Sequence, residues 1–181
     1  MRRGLLIEAA LRVIGRGGVA ALSQRAVAQE AALPPSAVTY YFATADALLV
    51  AALSSCNDRY LRRLDECARA EDPLGELAAV IAEGAADGGA RTAAEYELFL
   101  LAGRHPELQH EAVRWAEAVD AFLAPFAPDP VDRAGAAAAV DGLFLRCHSY
   151  PGPPDAAAVR AVLDRLLRRG PAPAVPAPPE G

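Results

Sequence analysis

The sequence predicts an all-α protein, and three observations support this fold class. Apolar residues recur with the period of amphipathic helices along most of the chain. No stretch alternates apolar and polar residues convincingly enough to predict a strand. Proline and glycine residues separate the helical stretches. The chain has 181 residues, of which 53% are hydrophobic, so it has enough apolar material to fold around a core.

Four helices are predicted in the first part of the chain, over about 3–16, 23–31, 36–42 and 44–70. Ser23 is a suitable N-cap for the second helix, because its hydroxyl can accept a hydrogen bond from a free amide of the first turn. Pro35 suits the first turn of the third helix. Thr44 or Asp46 is expected to cap the fourth helix.

Five further helices are predicted over about 73–87, 92–103, 106–124, 130–149 and 154–169. The last twelve residues, GPAPAVPAPPEG, have no core-forming content, and we expect a disordered Pro-rich tail over 170–181. The predicted organisation is a first domain over 1–46, a helical domain over 47–169, and this tail.

The second and third helices are short, are joined by a tight break and follow a longer helix, which is the pattern of a helix-turn-helix. A miniature core would fix the angle between them; its expected members are Val27, Ala31, Leu33, Val38 and Phe42. The expected outer surface consists of Gln24, Arg25, Ala28 and Gln29 on the second helix and of Ser36, Ala37, Thr39, Tyr40 and Tyr41 on the third. Such a short third helix suits insertion into the major groove of DNA. The hydroxyls of Thr39, Tyr40 and Tyr41 could then donate to the phosphates that flank the groove.

The distribution of charge supports contact between the first domain and DNA. Residues 1–46 carry five arginines against three acidic residues, although the whole chain has a net charge of −5. The remainder carries thirteen arginines against twenty acidic residues. A basic first domain on an acidic second domain is typical of a protein in which only the former touches phosphate.

Residues 5–49, LLIEAALRVIGRGGVAALSQRAVAQEAALPPSAVTYYFATADALL, resemble the DNA-binding domain of the tetracycline-repressor (TetR) family. The matching elements are EAALRVI in the first helix, a following glycine, SQRAVA at the start of the second helix, and SAVTYYF in the third. The resemblance implies an all-helical homodimer that binds an inverted-repeat operator, usually as a repressor. It also implies a divergent C-terminal domain that binds a small molecule.

Carried over position by position, the resemblance implies DNA-binding roles for Arg25, Pro35, Ser36, Ala37, Thr39, Tyr40 and Tyr41. Tyr40 and Tyr41 have the alternative of packing in the core, and Arg25 that of a solvated surface charge. Three positions depart from the family pattern. Ala32 and Pro34 replace a usual turn glycine and a usual capping Ser or Thr, which questions the geometry of the turn. Ala45 replaces a common lysine, which implies weaker electrostatic affinity for DNA.

Aromatic residues at helical spacing indicate where the implied ligand would bind. The candidate ligand-binding residues are Cys56, Tyr60, Tyr96, Phe99, Trp115 and Phe122; the alternative for each is an ordinary packed core. Glu95, Glu97, Arg104 and His105 are candidate polar contacts; the alternative for Arg104 and His105 is an exposed turn. Few charged residues share this surface, so we expect a largely apolar ligand that is held by one or two hydrogen bonds.

The helices over 130–149 and 154–169 are, by the same resemblance, the expected dimer interface. Small residues from Ala134 to Ala139, together with Gly142, would allow close approach of two chains. The apolar face of the last helix is formed by Val159, Val162, Leu163, Leu166 and Leu167. Two such helices from each chain would pack as a four-helix bundle.

Other classes of protein have little support in the sequence. The histidines at 105, 110 and 148 match no metal or catalytic pattern, and there is no phosphate-binding glycine loop, so we expect no enzyme, metal or cofactor. The cysteines at 56, 67 and 147 are expected to be reduced thiols. No apolar run is long enough for a membrane span, and we expect a cytoplasmic protein. The remaining alternative is a helical interaction module that has lost specific DNA binding.

Overall fold

The computed structural model describes residues 2–83, 90–149 and 155–167. These residues form nine α-helices and a 3-10 turn, Val19–Ala21, without a strand, and the predicted all-α fold is confirmed. The helices are α1 (Arg2–Gly17), α2 (Gln24–Glu30), α3 (Pro35–Tyr41), α4 (Ala45–Ala68), α5 (Pro73–Glu83), α6 (Ala90–Ala102), α7 (Pro106–Leu123), α8 (Pro130–Ser149) and α9 (Ala156–Leu167). We call α1–α3 the head and α4–α9 the body.

The starts of the short helices follow from side-chain caps that the sequence shows. The Ser23 hydroxyl accepts a hydrogen bond from the amide of Ala26 at 3.1 Å, and the Thr44 hydroxyl accepts one from the amide of Ala47 at 3.0 Å. Thr44, rather than Asp46, therefore caps α4. The predicted residues 84–87 of the fifth helix, residues 154, 168 and 169 of the last predicted helix, and the predicted tail lie outside the described residues. The domain boundary after residue 46 remains a prediction.

Ala32 makes the turn of the helix-turn-helix in a left-handed conformation, with φ of 53°. The amide of Leu33 donates to the carbonyl of Ala28 at 2.9 Å, and the amide of Ala32 donates to that of Gln29 at 3.1 Å. This pair of bonds is the Schellman motif, whose left-handed position is usually glycine. The turn thus keeps its geometry with alanine in place of glycine, and the loss of a capping side chain at Pro34 leaves α3 starting at Pro35.

The described residues form two apolar cores, and the first of them joins the head to the body. The first core combines the buried faces of α1, α2 and α3 with the first half of α4, and it also includes Ala94, Leu98 and Ala102 of α6. The second core is built from α5, α7, α8 and α9 with the end of α4. Because α6 contributes to the core of the head and also contacts α7 and α8, it lies between the two parts.

No single helix among the described residues is long and apolar enough to cross a membrane. The pair α3 and α4 meets the criteria of length and composition only when taken together, and it is bent by 73° at the break.

Candidate functional site

Helix α3, the expected recognition helix of the helix-turn-helix, presents its polar side chains to solvent. Tyr40 is 82% exposed and Tyr41 is 38% exposed, and their rings meet edge to face with centroids 5.0 Å apart. Both tyrosines are therefore on the surface rather than in the core. The remaining predicted contacts of this helix, Pro35, Ser36 and Thr39, are exposed, and Ala37 is half-buried. The Thr39 hydroxyl lies within hydrogen-bond distance of the Pro35 and Ser36 carbonyls, at 3.3 and 3.2 Å, so it must turn away from them to reach a phosphate.

The miniature core beneath this surface forms largely as the sequence predicts. Val27, Val38 and Phe42 are fully buried, and Ala31 and Leu33 pack against them. Ala28 is a correction: it was expected on the outer surface, but it is only 1% exposed because it faces the same core. The expected outer residue Gln24 is half-buried, and its amide donates to the carbonyls of Phe42 and Ala43 at 3.0 and 3.4 Å, which fastens α2 to the end of α3.

The cations of the head are divided between internal contacts and the surface. Glu30 of α2 accepts hydrogen bonds from Arg12, at 2.7 Å, and from Arg16 of α1. The guanidinium of Arg3 stacks 5.3 Å above the centre of the Phe42 ring. Arg25 is exposed, and no hydrogen bond or ion pair engages it within the described part of the chain. Arg25 is thus the cation of α2 that is available to a phosphate.

A cavity of about 250 Å³ lies in the body, between α4, α6, α7 and α8. Its lining residues are Tyr60, Thr92, Glu95, Tyr96, Phe99, Leu100, Trp115, Asp141 and Phe144. The aromatic rings meet edge to face: Tyr60 lies 5.7 Å from Trp115 and 5.5 Å from Phe144, and Trp115 lies 6.2 Å from Phe144, between ring centres. The walls therefore combine five aromatic side chains with two carboxylates.

Glu95 is the buried carboxylate of this cavity and is 3% exposed. Its Oε2 accepts a hydrogen bond from the Tyr60 hydroxyl at 2.9 Å, and its Oε1 lies 3.3 Å from Nε of Arg91. Burial, together with the neighbouring Glu95 carboxylate, raises the pKa of Tyr60 to about 12. The Tyr60 hydroxyl therefore stays protonated and donates to Glu95, so the carboxylate is held in place beside the aromatic walls.

Asp141 of α8 is the second carboxylate that lines the cavity. It accepts a hydrogen bond from the indole nitrogen of Trp115 at 3.0 Å, and its backbone carbonyl accepts one from the Tyr96 hydroxyl at 2.9 Å. Desolvation raises the pKa of Asp141, against the opposing effect of the Trp115 hydrogen bond. These bonds fix the orientation of Trp115 and Tyr96 in the wall.

Four of the six predicted ligand-binding residues line the cavity: Tyr60, Tyr96, Phe99 and Trp115. The other two do not. Cys56 is fully buried in the first core, where burial raises the pKa of its thiol. Phe122 packs in the second core, with its ring centre 5.9 Å from that of Phe126. The candidate polar contact Glu95 lines the cavity, whereas Glu97 faces the head and accepts a hydrogen bond from the amide of Val19 at 2.7 Å.

Sequence reasoning missed four lining residues: Thr92, Leu100, Asp141 and Phe144. Only Thr92 had a detectable signal, because it precedes Tyr96 and Phe99 at helical spacing. Arg104 is exposed and His105 half-buried at the start of α7, away from the cavity lining. Within residues 2–83, 90–149 and 155–167, no group of three His, Cys, Asp or Glu residues could hold a metal ion.

The outer surface of α8 and α9 carries exposed apolar and small residues. Val131, Leu145 and Val162 are exposed, and no atom lies within 4 Å of where a Cβ would stand at Gly135 or Gly142. Part of the predicted interface of the last helix is used inside the chain instead. Val159 and Leu163 are buried in the second core, since α9 packs against α5 and α8.

Known proteins match this chain over almost its whole length. Residues 6–52 match the family of bacterial regulatory proteins described as the tetR family, and residues 68–169 match the tetracyclin repressor-like C-terminal domain. The HTH-type transcriptional regulator BetI of Brucella anthropi is 29% identical over 92% of this chain and 92% of its own length.

Solved structures with this fold show the same relationship. A member of the TetR family from Streptomyces coelicolor A3 is 40% identical, with a TM-score of 0.80 over 92% of this chain and 98% of that chain. The multidrug binding protein EbrR complexed with ethidium is 42% identical, with a TM-score of 0.71 over the same shares of the two chains. In complex with malachite green, EbrR is 42% identical, with a TM-score of 0.74 over 92% of this chain and 98% of that chain.

The family matches therefore assign the head and the body to the same family. The head contains the helix-turn-helix of the family, and the body matches the C-terminal domain that accompanies it. The resemblance that residues 5–49 carry is confirmed. The chain belongs to the tetR family of bacterial regulatory proteins and is a DNA-binding transcriptional regulator.

Proposed function

We propose that this regulator is a dimeric repressor that binds an inverted-repeat operator. We propose further that a hydrophobic aromatic cation, bound in the cavity of the body, releases it from the operator. The observation that carries the proposal is the position of α6. This helix supplies five of the cavity-lining residues, and it also packs into the core of the head. A molecule in the cavity therefore contacts the element on which the head rests.

The proposed DNA contacts are those of the exposed surface of α3 and the start of α2. Tyr40 of α3 is 82% exposed, and Arg25 is an exposed cation on the neighbouring helix α2. Phosphate contacts from such side chains position the head, and contacts of Ala37 and Thr39 with base edges would supply sequence preference. Since Arg12 and Arg16 are engaged by Glu30, few unpaired cations of the head remain for phosphate.

The charge of the proposed ligand follows from Glu95. Arg91 lies beside one oxygen of Glu95, but the other oxygen accepts from the neutral Tyr60 hydroxyl, so this oxygen and the faces of the aromatic rings can attract a cation. The ligand expected from the sequence alone was apolar and held by hydrogen bonds; the aromatic walls support its apolar character, and Glu95 adds a positive charge. Ethidium and malachite green, with which EbrR was crystallised, are aromatic cations of this kind.

The proposed homodimer uses the outer surface of α8 and α9. Exposed Leu145 and Val162, with the small residues at 134, 135, 138 and 142, provide an apolar surface on which a second copy can pack closely. Two heads of a dimer reach successive major grooves when they stand about 34–36 Å apart. A ligand that shifts both heads would weaken contact with both halves of the operator together.

Binding to DNA is tested by fluorescence anisotropy, with the region upstream of the gene and with DNA selected from a random pool. We expect binding to DNA that contains an inverted repeat, with an affinity that falls steeply as salt is raised. Failure to bind either DNA at low salt would contradict the repressor and favour the helical interaction module.

Ligand binding is tested by calorimetry with tetraphenylphosphonium, an aromatic cation that does not intercalate, and with neutral triphenylphosphine oxide as its matched control. We expect the cation to bind more tightly than the neutral compound. The substitution Glu95→Gln should remove most of that preference, lowering the affinity for the cation by about tenfold, or ~1.4 kcal/mol. Equal affinity for the two compounds in the wild-type protein would contradict the proposed ligand class.

A further inference from the structure

Arg91 joins a carboxylate of the ligand cavity to a carboxylate of the head. Its Nε lies 3.3 Å from Oε1 of Glu95, the buried cavity residue one helical turn away on α6. Its two terminal nitrogens face Glu8 of α1, with distances of 2.8 Å to Oε2 and 3.4 Å to Oε1. We call these two contacts of Arg91 the bridge. Within it, the Glu95 side chain is buried, and those of Arg91 and Glu8 are partly exposed. A series of hydrogen bonds thus leads from Tyr60 in the cavity wall, through Glu95 and Arg91, to Glu8 on the first helix of the head.

We infer that Arg91 couples ligand binding in the cavity to the position of the head, through its simultaneous contacts with Glu95 and Glu8. The inference rests on the proposed function, because it requires a cationic ligand and a head whose position controls DNA binding. It assigns to Arg91 the role of a positioning residue: Arg91 does not line the aromatic cavity but acts through Glu95, which does.

The planar shape of the guanidinium makes the two contacts of Arg91 interdependent. One edge, at Nε, faces Glu95, and the fork of the two terminal nitrogens faces Glu8. Because the group is rigid, a rotation that weakens one contact reorients the other. Glu8 stands on α1, whose buried side chains form the core of the head with α2 and α3. A shift of Glu8 therefore displaces the helix on which the recognition helix is packed.

A cation in the cavity would act directly on this bridge. It would lie beside Glu95, attract that carboxylate and repel the guanidinium of Arg91. Glu95 would then turn from Arg91 towards the ligand, and Arg91 would keep Glu8 as its main partner. Because the Glu95 side chain is only 4% exposed, its interactions with the ligand and with Arg91 are screened less than those of a surface carboxylate.

A second attachment of α6 to the head has no contact with the cavity. Oε1 of Glu97 accepts a hydrogen bond from the amide of Val19 at 2.7 Å, at the turn between α1 and α2. A Cβ at the preceding residue, Gly18, would stand 3.1 Å from the same oxygen, so the turn lies close against Glu97. Of the two attachments, only the one through Arg91 would therefore respond to a ligand. The attachment through Glu97 provides a control position in the experiment below.

The experiment measures the coupling factor, which is the dissociation constant for tetraphenylphosphonium of the operator-bound protein divided by that of the free protein. In the wild-type protein we expect a factor of about five or more, as is ordinary for coupled sites. Glu8→Gln removes the charge that holds the fork of Arg91, and we expect its factor to fall to within about twofold of unity. Arg91→Lys keeps the charge but loses the fork, and we expect the same fall.

Glu97→Gln is the matched control, because its amide oxygen can still accept the hydrogen bond from Val19. It should retain the wild-type coupling factor, and Glu8→Gln should retain wild-type affinity for operator and for ligand when each is measured alone. A wild-type coupling factor that survives in both Glu8→Gln and Arg91→Lys overturns this inference and leaves the proposed function intact. A wild-type protein that does not bind the cation, or whose affinity is unaffected by operator, overturns both.

Discussion

Glu30 of α2 and Arg12 of α1 form an ion pair, with 2.7 Å between Oε1 and Nε. Arg16 donates to the other oxygen of the same carboxylate. These two hydrogen-bonded guanidinium groups lower the pKa of Glu30 from 4.5 to about 2. The arrangement fastens the first two helices of the head together, and it assigns two basic residues of α1 to the fold rather than to DNA.

The first prediction follows from the depressed pKa of Glu30. A carboxyl whose pKa is lower in the folded than in the unfolded state stabilises the protein above the unfolded value and ceases to do so as the pH falls. We expect wild type to be more stable than Glu30→Gln at neutral pH, and the difference in free energy of unfolding to shrink between about pH 4.5 and pH 2. Urea denaturation at a series of pH values measures it; a difference independent of pH would contradict the assignment.

The second prediction concerns the alanine in the left-handed turn. Ala32 has φ of 53°, which disfavours a residue with a Cβ, and it is exposed, so its methyl group contributes little to packing. Ala32→Gly should relieve about 1–2 kcal/mol of strain, partly offset by about 0.4–1 kcal/mol of added entropy in the unfolded chain. We expect a net gain in the free energy of unfolding of about 0.5–1 kcal/mol.

The adjacent position provides the control for this substitution. Ala31 has φ of −83°, in the right-handed region, where glycine has no conformational advantage. Ala31→Gly should therefore destabilise the protein under the same conditions. If both substitutions changed the stability in the same direction, the conformation of Ala32 would not be the cause.

Local signals in the sequence predict the helix starts but not every side-chain environment. The caps at Ser23 and Thr44 are short-range hydrogen bonds, so residue type and spacing identify them. The left-handed turn at Ala32 is different, because alanine disfavours that conformation and only the packing of α2 against α3 imposes it. Ala28 was misplaced for a related reason: in such a short helix, periodicity does not separate the inner from the outer positions clearly.

The cavity was predictable in part, on the helices that carry its aromatic residues. Helical spacing of Tyr96 and Phe99 indicates one face of α6, and both line the cavity. The spacing cannot say which neighbour covers a face, so Cys56 and Phe122 were grouped with the cavity although each packs in a core. The contribution of α8 through Asp141 and Phe144 depends on tertiary packing, and the many alanines of this helix give its sequence only a weak amphipathic pattern.

The third prediction tests the recognition surface at its most exposed residue. Tyr40→Phe removes a single hydroxyl from a side chain that is 82% exposed, so the fold should be unaffected. If this hydroxyl donates to a phosphate, operator affinity falls by about 1.5 kcal/mol, the scale of a hydrogen bond to a charged group. Anisotropy measures the affinity, and Tyr96→Phe, which removes a hydroxyl in the body, is the control. Unchanged affinity or a lower melting temperature would show that Tyr40 has another role.

The fourth prediction separates residues that line the cavity from residues beside it. Phe99 lines the cavity, so Phe99→Trp should occupy part of its volume and weaken binding of tetraphenylphosphonium while sparing operator affinity. Ala102 lies three residues further along α6 but is buried in the first core, so Ala102→Trp should overpack that core and lower the melting temperature. Calorimetry and thermal unfolding of both variants distinguish these effects. Loss of ligand binding in a stable Ala102→Trp variant would contradict this division.

The fifth prediction concerns the outer surface of α8, which we propose as the dimer interface. No atom of the described chain stands within 4 Å of a Cβ built at Gly142, so an arginine there is accommodated within the chain.

Arginine also favours a helix over glycine, by about 0.8–1 kcal/mol. Gly142→Arg should therefore leave the chain folded but place a charge between two closely packed copies, where it lacks a partner. We expect sedimentation analysis to show dimers for the wild type and for the control Ala68→Arg, at the exposed end of α4, and monomers for Gly142→Arg. Operator affinity should fall with the loss of the dimer, because one head reaches only one half of an inverted repeat. A Gly142→Arg protein that remains a dimer would show that the two copies meet on another surface.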